Sequence, residues 1–253
     1  MAKVISISNQ KGGVGKTTTS LAISTGFKER GFRVLAVDMD PQANFTFSLG
    51  GEGDDGPTVY ELLKGEVQPR FAIQRTSYVD LIASNIVLSG AELEFTAEGR
   101  EYILKKALKS LMPRYDYIVI DTPPALSFLT VNALAAAQYM IIPMQADIFS
   151  LQGIAQLGDS LLRLKQYCNP QLEVGGILLC RFDGRTILGR RINETADMVA
   201  QQIGTKLYKQ KIRNSVAIQE AQTNQVSMFQ YAPQSPGVAD YRKFVDELLK
   251  SGV

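Results

Sequence analysis

Asn9-Gln10-Lys11-Gly12-Gly13-Val14-Gly15-Lys16-Thr17-Thr18 is the stretch on which the reading of this chain turns. It follows a short apolar run, Val4 to Ile7, and precedes a helical pattern from Leu21 to Phe27. A strand, a glycine-rich turn and a helix start together make a phosphate cradle. Glycines let the backbone turn tightly enough for several N–H groups to converge on one anion. The helix N-terminus adds unsatisfied donors and the positive end of its dipole. Lys16 supplies a point charge for the outer phosphates, and the Thr17 hydroxyl can ligate a magnesium ion. The usual G-x-x-x-x-G-K-[ST] spacing would put glycine at position 10, where this chain has Gln10. A lysine and two glycines follow instead. A turn that merely joined strand to helix would leave the two lysines and the threonines without a role.

Outward from this run, Lys3 to Ser8 reads as a buried strand, Thr17 to Arg30 as a helix stopped by Gly31, and Arg33 to Asp38 as a second buried strand. That is a βαβ unit, and such units imply a parallel sheet. The second strand ends in Asp38-Met39-Asp40-Pro41-Gln42-Ala43-Asn44, so two carboxylates stand where open α/β sheets bind ligands. Tyr117-Ile118-Val119-Ile120-Asp121-Thr122-Pro123-Pro124 has the form of a Walker B strand, whose terminal carboxylate serves the magnesium shell. Further strands are expected at Val79–Ser84, Tyr139–Met144 (closed by Pro143), Val174–Cys180 and Lys206–Tyr208. Thr58 should cap a short helix, and longer helices are expected at Arg100–Met112, Gly153–Tyr167, Thr186–Ile203, Val216–Gln222 and Asp240–Lys250. No repeat or linker divides the chain. The expected fold is a single α/β domain over 1–253, doubly wound and mostly parallel, of the P-loop NTPase type.

The 253 residues, 45% hydrophobic and 21% charged, suffice for such a domain;. No apolar run is long enough to span a bilayer and no secretory leader is visible, so a cytoplasmic protein is expected. The chain has no histidine. Serine–histidine and histidine-metal chemistry are thereby excluded, and acid–base work falls to carboxylates, lysines or water. Cys168 and Cys180 have no metal-type spacing and read as buried thiols. Net charge is +2, but the segment from Arg181 to Arg213 holds eight basic residues against three acids, a local +5 that leaves −3 for the rest. That segment is either a polyanion footprint or an ordinary solvated face.

The loop at 11–18 and the carboxylates at Asp38, Asp40 and Asp121 imply a magnesium nucleoside triphosphate and transfer of its γ-phosphoryl group to water. Lys16 and the loop N–H groups would hold the phosphates. Thr17 would bind magnesium directly, and Asp121 directly or through water. Asp40 is expected to orient the attacking water, with Asp38 shaping the site. Lys11, at the loop entry, either points outward across a dimer interface into another subunit's nucleotide or is an exposed lysine with no role.

These motifs carry a resemblance. Lys11-Gly12-Gly13-Val14-Gly15-Lys16-Thr17-Thr18 resembles the deviant Walker A box of the ParA/MinD family. Val37 to Asn44 looks like that family's next box, and Ile120-Asp121-Thr122-Pro123-Pro124 like its Walker B. Asp183-Gly184-Arg185-Thr186 and Ile212-Arg213-Asn214 look like later segments of ParA/Soj-type partition ATPases. The resemblance implies an ATP- and magnesium-dependent sandwich homodimer in which Lys11 reaches the partner's ATP. It also implies hydrolysis stimulated by a ParB-like or other adaptor, and non-specific DNA binding on the nucleoid; intrinsic turnover should be slow, since a switch must last long enough to position something. Arg185 and Arg213 match the family's DNA-binding motifs, and Arg190, Arg191, Lys209 and Lys211 lie nearby. The cargo would be a plasmid, a chromosomal origin or a protein assembly. The chain departs from the pattern at Asp147 and Gln152, where glutamates are frequent, and at Arg181, where smaller or neutral residues are.

A second reading is a MinD-like membrane-binding ATPase for division-site positioning, which needs an amphipathic C-terminal tail. Tyr241 to Leu249 is amphipathic but only weakly cationic, and it reads better as a core-facing helix, so no stable membrane association is expected. A nitrogenase-type iron protein would need cluster cysteines, which are lacking, and an amidoligase a substrate pocket that the sequence does not reveal.

Overall fold

The computed structural model describes residues 1–147, 158 and 160–253. Its strands are β1 (Lys3–Ile7), β2 (Val34–Asp38), β3 (Ile73–Arg75), β4 (Asp80–Ile82), β5 (Tyr117–Asp121), β6 (Tyr139–Gln145) and β7 (Glu173–Cys180). They pair into one sheet in the order β3-β4-β2-β5-β1-β6-β7. Every pairing is parallel except β3 with β4, which is antiparallel and forms one edge. The chain winds outward from β1 in both directions, and the phosphate loop opens at the carboxyl edge where that order reverses.

Alternation along the strands sorts their side chains onto two cores. Val4, Leu35, Val37, Ile118, Ile120, Met140 and Ile142 face one, which also takes in the helix Phe128–Ala136. Ile5, Ile7, Ala36, Val119, Ile141 and Leu178 face the other. Helix α1 (Lys16–Glu29) lies over this second core, and of the later helices α2 (Ile187–Gln202), α3 (Val216–Thr223) and α4 (Pro236–Lys250) the last two bury side chains there. Helix α2 instead packs Ile192, Ala196 and Ala200 into the first core.

Several expectations change in detail. Strand β6 runs past Pro143 to Gln145, with Pro143 in register with Leu178 of β7. The missing N–H does no harm, because the polar groups of Pro143 face β1 beyond its last ladder residue: Ser8 N donates to Ile141 O, and Pro143 O accepts from the Asn9 side chain. Lys206–Tyr208 is not a strand; only Leu207 bridges to Ile177. The helix expected over Arg100–Met112 is a 3-10 turn, Arg100–Tyr102, and a shorter α-helix, Ile103–Leu108. The helix expected at Gly153–Tyr167 falls partly outside the described residues, and 160–167 is helical. Thr58 caps Val59–Lys64 with a full capping box closed by Glu61;. The edge strand β3 and the helix Phe128–Ala136 are additions.

Helix α4 starts at Pro236, earlier than expected, and a proline fits the first helical turn;. Its Tyr241, Phe244, Val245 and Leu248 are buried against α1 and its neighbours. The apolar face of the C-terminal helix is therefore spent on the core. No helix among the described residues is long and apolar enough to cross a membrane.

Helices α1 and α4 meet closely because of Gly26. A Cβ there would stand 3.0 Å from Val245 Cγ2 and 3.2 Å from Phe229 Cε2. Overpacking of this kind costs about 1–3 kcal/mol. Gly26→Val should lower the denaturant midpoint of unfolding accordingly, with an unchanged m-value.

Candidate nucleotide site

Strand register sets the site. Asp121, the last residue of β5, is level with Ile7 of β1 on one side and Asp38 of β2 on the other. The phosphate loop and two carboxylates thus issue from three adjacent strand ends. Gly13 and Gly15 hold positive φ, +73° and +98°, and a Cβ on Gly15 would also press on the Cys180 sulfur at 3.4 Å. Only glycine takes such turns without strain.

Helix α1 begins at Lys16 with no side-chain cap, so its first N–H groups stay directed at the loop;. Lys16 is buried, and its Nζ donates to Lys11 O at 3.2 Å. The Thr17 hydroxyl donates to Asp121 Oδ2 and the Ser20 hydroxyl to Asp121 Oδ1, both at 2.7 Å. Thr17 and Ser20 are three apart and share a helix face, which is why one carboxylate meets both. This set of hard oxygen donors fits magnesium. Thr17 would be the direct ligand, and Asp121 would lie in contact with the ion or with its water.

Asp38 and Asp40 divide the work. Asp38 is fully buried; it accepts from Asp40 N at 3.0 Å and from both the N–H and the hydroxyl of Thr46 at 2.8 Å. It is thereby a brace inside the carboxylate loop. Asp40 accepts from Gln42 N at 3.0 Å and lines the cleft opened by the phosphate loop. Ala43 is left-handed, with φ +53°, which closes this turn tightly.

That cleft, of about 510 Å³, brings together Gly12, Gly13, Gly15, Lys16, Thr17, Thr18 and Asp40. Val14 is buried behind it and lines the adjoining cleft. Lys11 points elsewhere: its amine sits 2.9 Å from both oxygens of Asp147, at the rim. Asn9 braces the loop entry, accepting from Lys11 N and donating to Pro143 O. Gln152 lies outside the described residues.

Of the basic residues singled out, Arg185, Arg190, Arg191, Lys209 and Arg213 are exposed and Lys211 is half-buried. Arg185, Lys209, Lys211 and Arg213 line one cleft of about 680 Å³; Arg190 and Arg191 stand apart from it on α2. Two of the six carry internal pairs. Arg185 bonds Asp183 at 3.0 Å, and Arg213 grips the buried Asp240 through two nitrogens at 2.7 and 2.8 Å. The braces Asn9, Ser20 and Thr46 escaped sequence reasoning. Of these only Ser20 had a signal, its spacing from Thr17.

The chain matches the family model for an AAA domain over residues 2–174. It is 38% identical over 256 residues to the sporulation initiation inhibitor protein Soj of Bacillus subtilis, covering 100% of both chains. Among solved structures it resembles a cobyrinic acid a,c-diamide synthase from Mycobacterium smegmatis with bound ATP analog and magnesium, at 37% identity and TM-score 0.86, covering 100% of this chain and 98% of that one. It also resembles the cell division ATPase MinD of Pyrococcus furiosus, at 27% identity and TM-score 0.81 over 99% of each.

Burial pushes the carboxyl of Asp121 up to about 7, helped by the charge of Asp38 and opposed by the Ser20 and Thr17 hydroxyls. Burial likewise lifts Asp38 to about 6 against its hydrogen bonds. Burial lowers the amine of Lys16, while Asp121 and Asp40 oppose that shift. Both carboxyls therefore bind a proton more tightly folded than unfolded. Their contribution to stability is complete below the unfolded carboxylate range and is lost as pH rises through about 6 to 7;. The nucleotide-free protein should melt higher at about pH 5.5 than at about pH 8. Asp121→Asn should flatten that slope in a series of thermal melts.

Proposed function

Because the chain belongs to the ParA/Soj-type partition ATPases, we propose that it is an ATP-dependent, DNA-binding dimeric switch that positions or segregates a cargo over the nucleoid. The observation that carries the ATPase reading is the meeting of Lys16, Thr17 and Asp40 in one cleft, with Asp121 bonded to Thr17. Water attacks the γ-phosphorus, the bond to the β–γ bridging oxygen breaks, and ADP and phosphate result. Lys16 leaves the Lys11 carbonyl for the β and γ oxygens. The N–H groups of the loop surround the same oxygens without reorganisation at the moment of reaction. Asp40 orients the attacking water and accepts its hydrogen bond. Thr17 and Asp121 would hold magnesium, which would supply neutralisation of phosphate charge when bound.

The dimer reading is supported by Lys11. Its amine lies at the rim, turned from its own phosphate cradle toward Asp147, and an approaching second subunit's triphosphate would offer it a stronger anion. DNA binding is supported by the basic cleft and by Arg190 and Arg191 on the exposed side of α2. A ParB-like or other adaptor would accelerate hydrolysis. The buried face of α4 speaks against the membrane-tail reading.

Lys16→Ala should abolish ATP binding in calorimetry. Asp40→Ala should keep ATP affinity but hold an ATP-bound dimer in sedimentation, with turnover lost even when adaptor and DNA are added. Normal turnover would remove Asp40 from its role.

Arg190→Ala and Arg191→Ala are clean probes of DNA binding, since neither side chain holds a hydrogen bond or ion pair among the described residues. Each should weaken duplex binding equally across sequences and reduce the salt slope by about 1. Arg213→Ala is a poorer probe, because it strands the buried Asp240 and costs fold stability as well;.

A further inference from the structure

The nucleotide cleft opens at the carboxyl ends of the strands. A second polar cleft, of about 310 Å³, lies at their amino ends and takes no part in the chemistry above. Arg33 stands immediately before β2, whose far end is Asp38. Arg114 and Tyr115 stand just before β5, whose far end is Asp121. Lys28 lines the cleft from the last turn of α1, the helix that begins at Lys16. A strand of 5 residues, roughly 16 Å, separates the two clefts;. The remaining wall is the turn between β3 and β4, with Thr76 and Ser77.

Two acids flank this cleft, and both are engaged. Asp116 accepts from Arg33 Nε at 3.2 Å, from Nη2 at 2.8 Å and from the Arg33 N–H at 2.8 Å, so these two charges cancel. Asp80 accepts from the Tyr115 hydroxyl at 2.7 Å. Burial and that bond raise the Tyr115 phenol above its ordinary range, while the charges of Arg114 and Arg75 oppose the shift. Both arginines therefore stand close to the Tyr115–Asp80 pair. Yet Lys28, Arg75 and Arg114 are exposed, and none of their side chains forms a hydrogen bond or ion pair among the described residues. The dipole of α1 accounts for Lys28 alone, since it favours a cation in the last turn. Arg75 and Arg114 belong to no helix. Three cations thus surround one remaining carboxylate, Asp80. The turn adds donors. Thr76 Oγ1 takes the N–H groups of Tyr78 and Val79 at 3.2 Å and donates to Val79 O at 2.8 Å, which holds the turn in shape. Ser77, exposed beside it, has its hydroxyl and its N–H unpaired among the described residues.

We propose that this amino-end cleft is a second anion site, which takes a compact oligophosphate between Lys28, Arg75, Arg114 and Ser77. Guanidinium groups match phosphate oxygens in geometry as well as charge. Linked phosphates carry several anionic oxygens on one small molecule, so they can meet cations that stand on separate elements. A recess between the end of α1, the β3–β4 turn and the approach to β5 admits such a molecule, whereas the backbone of a duplex would stay outside. The site is independent of the phosphate loop and of the function proposed above.

The test is calorimetric titration of sodium tripolyphosphate, without magnesium, into the full chain carrying Lys16→Ala, which disables the phosphate loop. A single molecule should bind per chain. Adding Lys28→Ala and Arg114→Ala together should weaken binding about tenfold or more, the loss of charge-assisted contacts. Arg114→Lys, which keeps the charge and the bulk, should retain most of the affinity. Adding Arg190→Ala and Arg191→Ala instead removes the same charge from α2 and should leave the affinity as it was. The proposal is overturned if Lys16→Ala binds no tripolyphosphate, or if losing Lys28 and Arg114 changes nothing, which would leave the anion in the phosphate loop. An equal loss from the α2 pair would overturn it too, by making the effect one of net charge. So would a loss of affinity for a DNA duplex and not for tripolyphosphate, which would make the surface a nucleic-acid contact. Failure of the phosphate-loop reading shows separately: the wild type and Lys16→Ala would then bind tripolyphosphate alike, and the difference made by Lys28 and Arg114 would still be read.

Discussion

The site depends on the carboxylate of Asp121, held between the hydroxyls of Thr17 and Ser20. Those two bonds tie the first turn of α1 to the end of β5. The sheet register then ties β5 to β1 and β2, so loop, helix and both acidic strand ends move as one body. A fully buried carboxylate without such partners would cost several kcal/mol. Here the donors that make burial tolerable are the groups that a cation would otherwise meet. The interaction that steadies the cradle is thus the one that magnesium would rearrange.

The second carboxylate box follows the same logic with the opposite purpose. Asp38 has spent its lone pairs on Thr46 and on the backbone of Asp40, and Thr46 in turn accepts from Ser84 N. This network is closed, which suits it to hold geometry and not to react. Asp40, two residues on, has one oxygen braced by Gln42 N and faces the cleft. Two aspartates that look equivalent on paper are separated by what surrounds them.

Much of this was legible because it is local. The phosphate loop, the helix after it, the carboxylate at the end of β5 and the Thr58 cap each follow from a few adjacent residues, and the structure places them as expected. What the sequence hid depends on residues far apart. Pro143 looked like a strand end because a proline lacks an N–H, but its harmlessness depends on where β1 stops. Arg213 reads as one more charge of the basic segment, and Asp240, its partner, lies on a helix that begins at a proline the amphipathic pattern did not mark. The edge strand β3 is three residues long and only partly buried, so it left no periodic trace. Lys206–Tyr208 had a strand's composition, but it offers a single bridge to β7 and no ladder.

The two lysines of the loop are coupled through one carbonyl. Lys16 donates to Lys11 O, while the Lys11 side chain is drawn the other way by Asp147. An entering phosphate that takes Lys16 removes a bond from the backbone of Lys11. Lys11 then keeps its bonds to Asn9 and Asp147. The positions of Lys16 and Lys11 are therefore linked through the loop backbone. That link needs only the carbonyl at position 11; what the lysine there adds is a side chain that Asp147 draws to the rim, away from the bond its own backbone accepts.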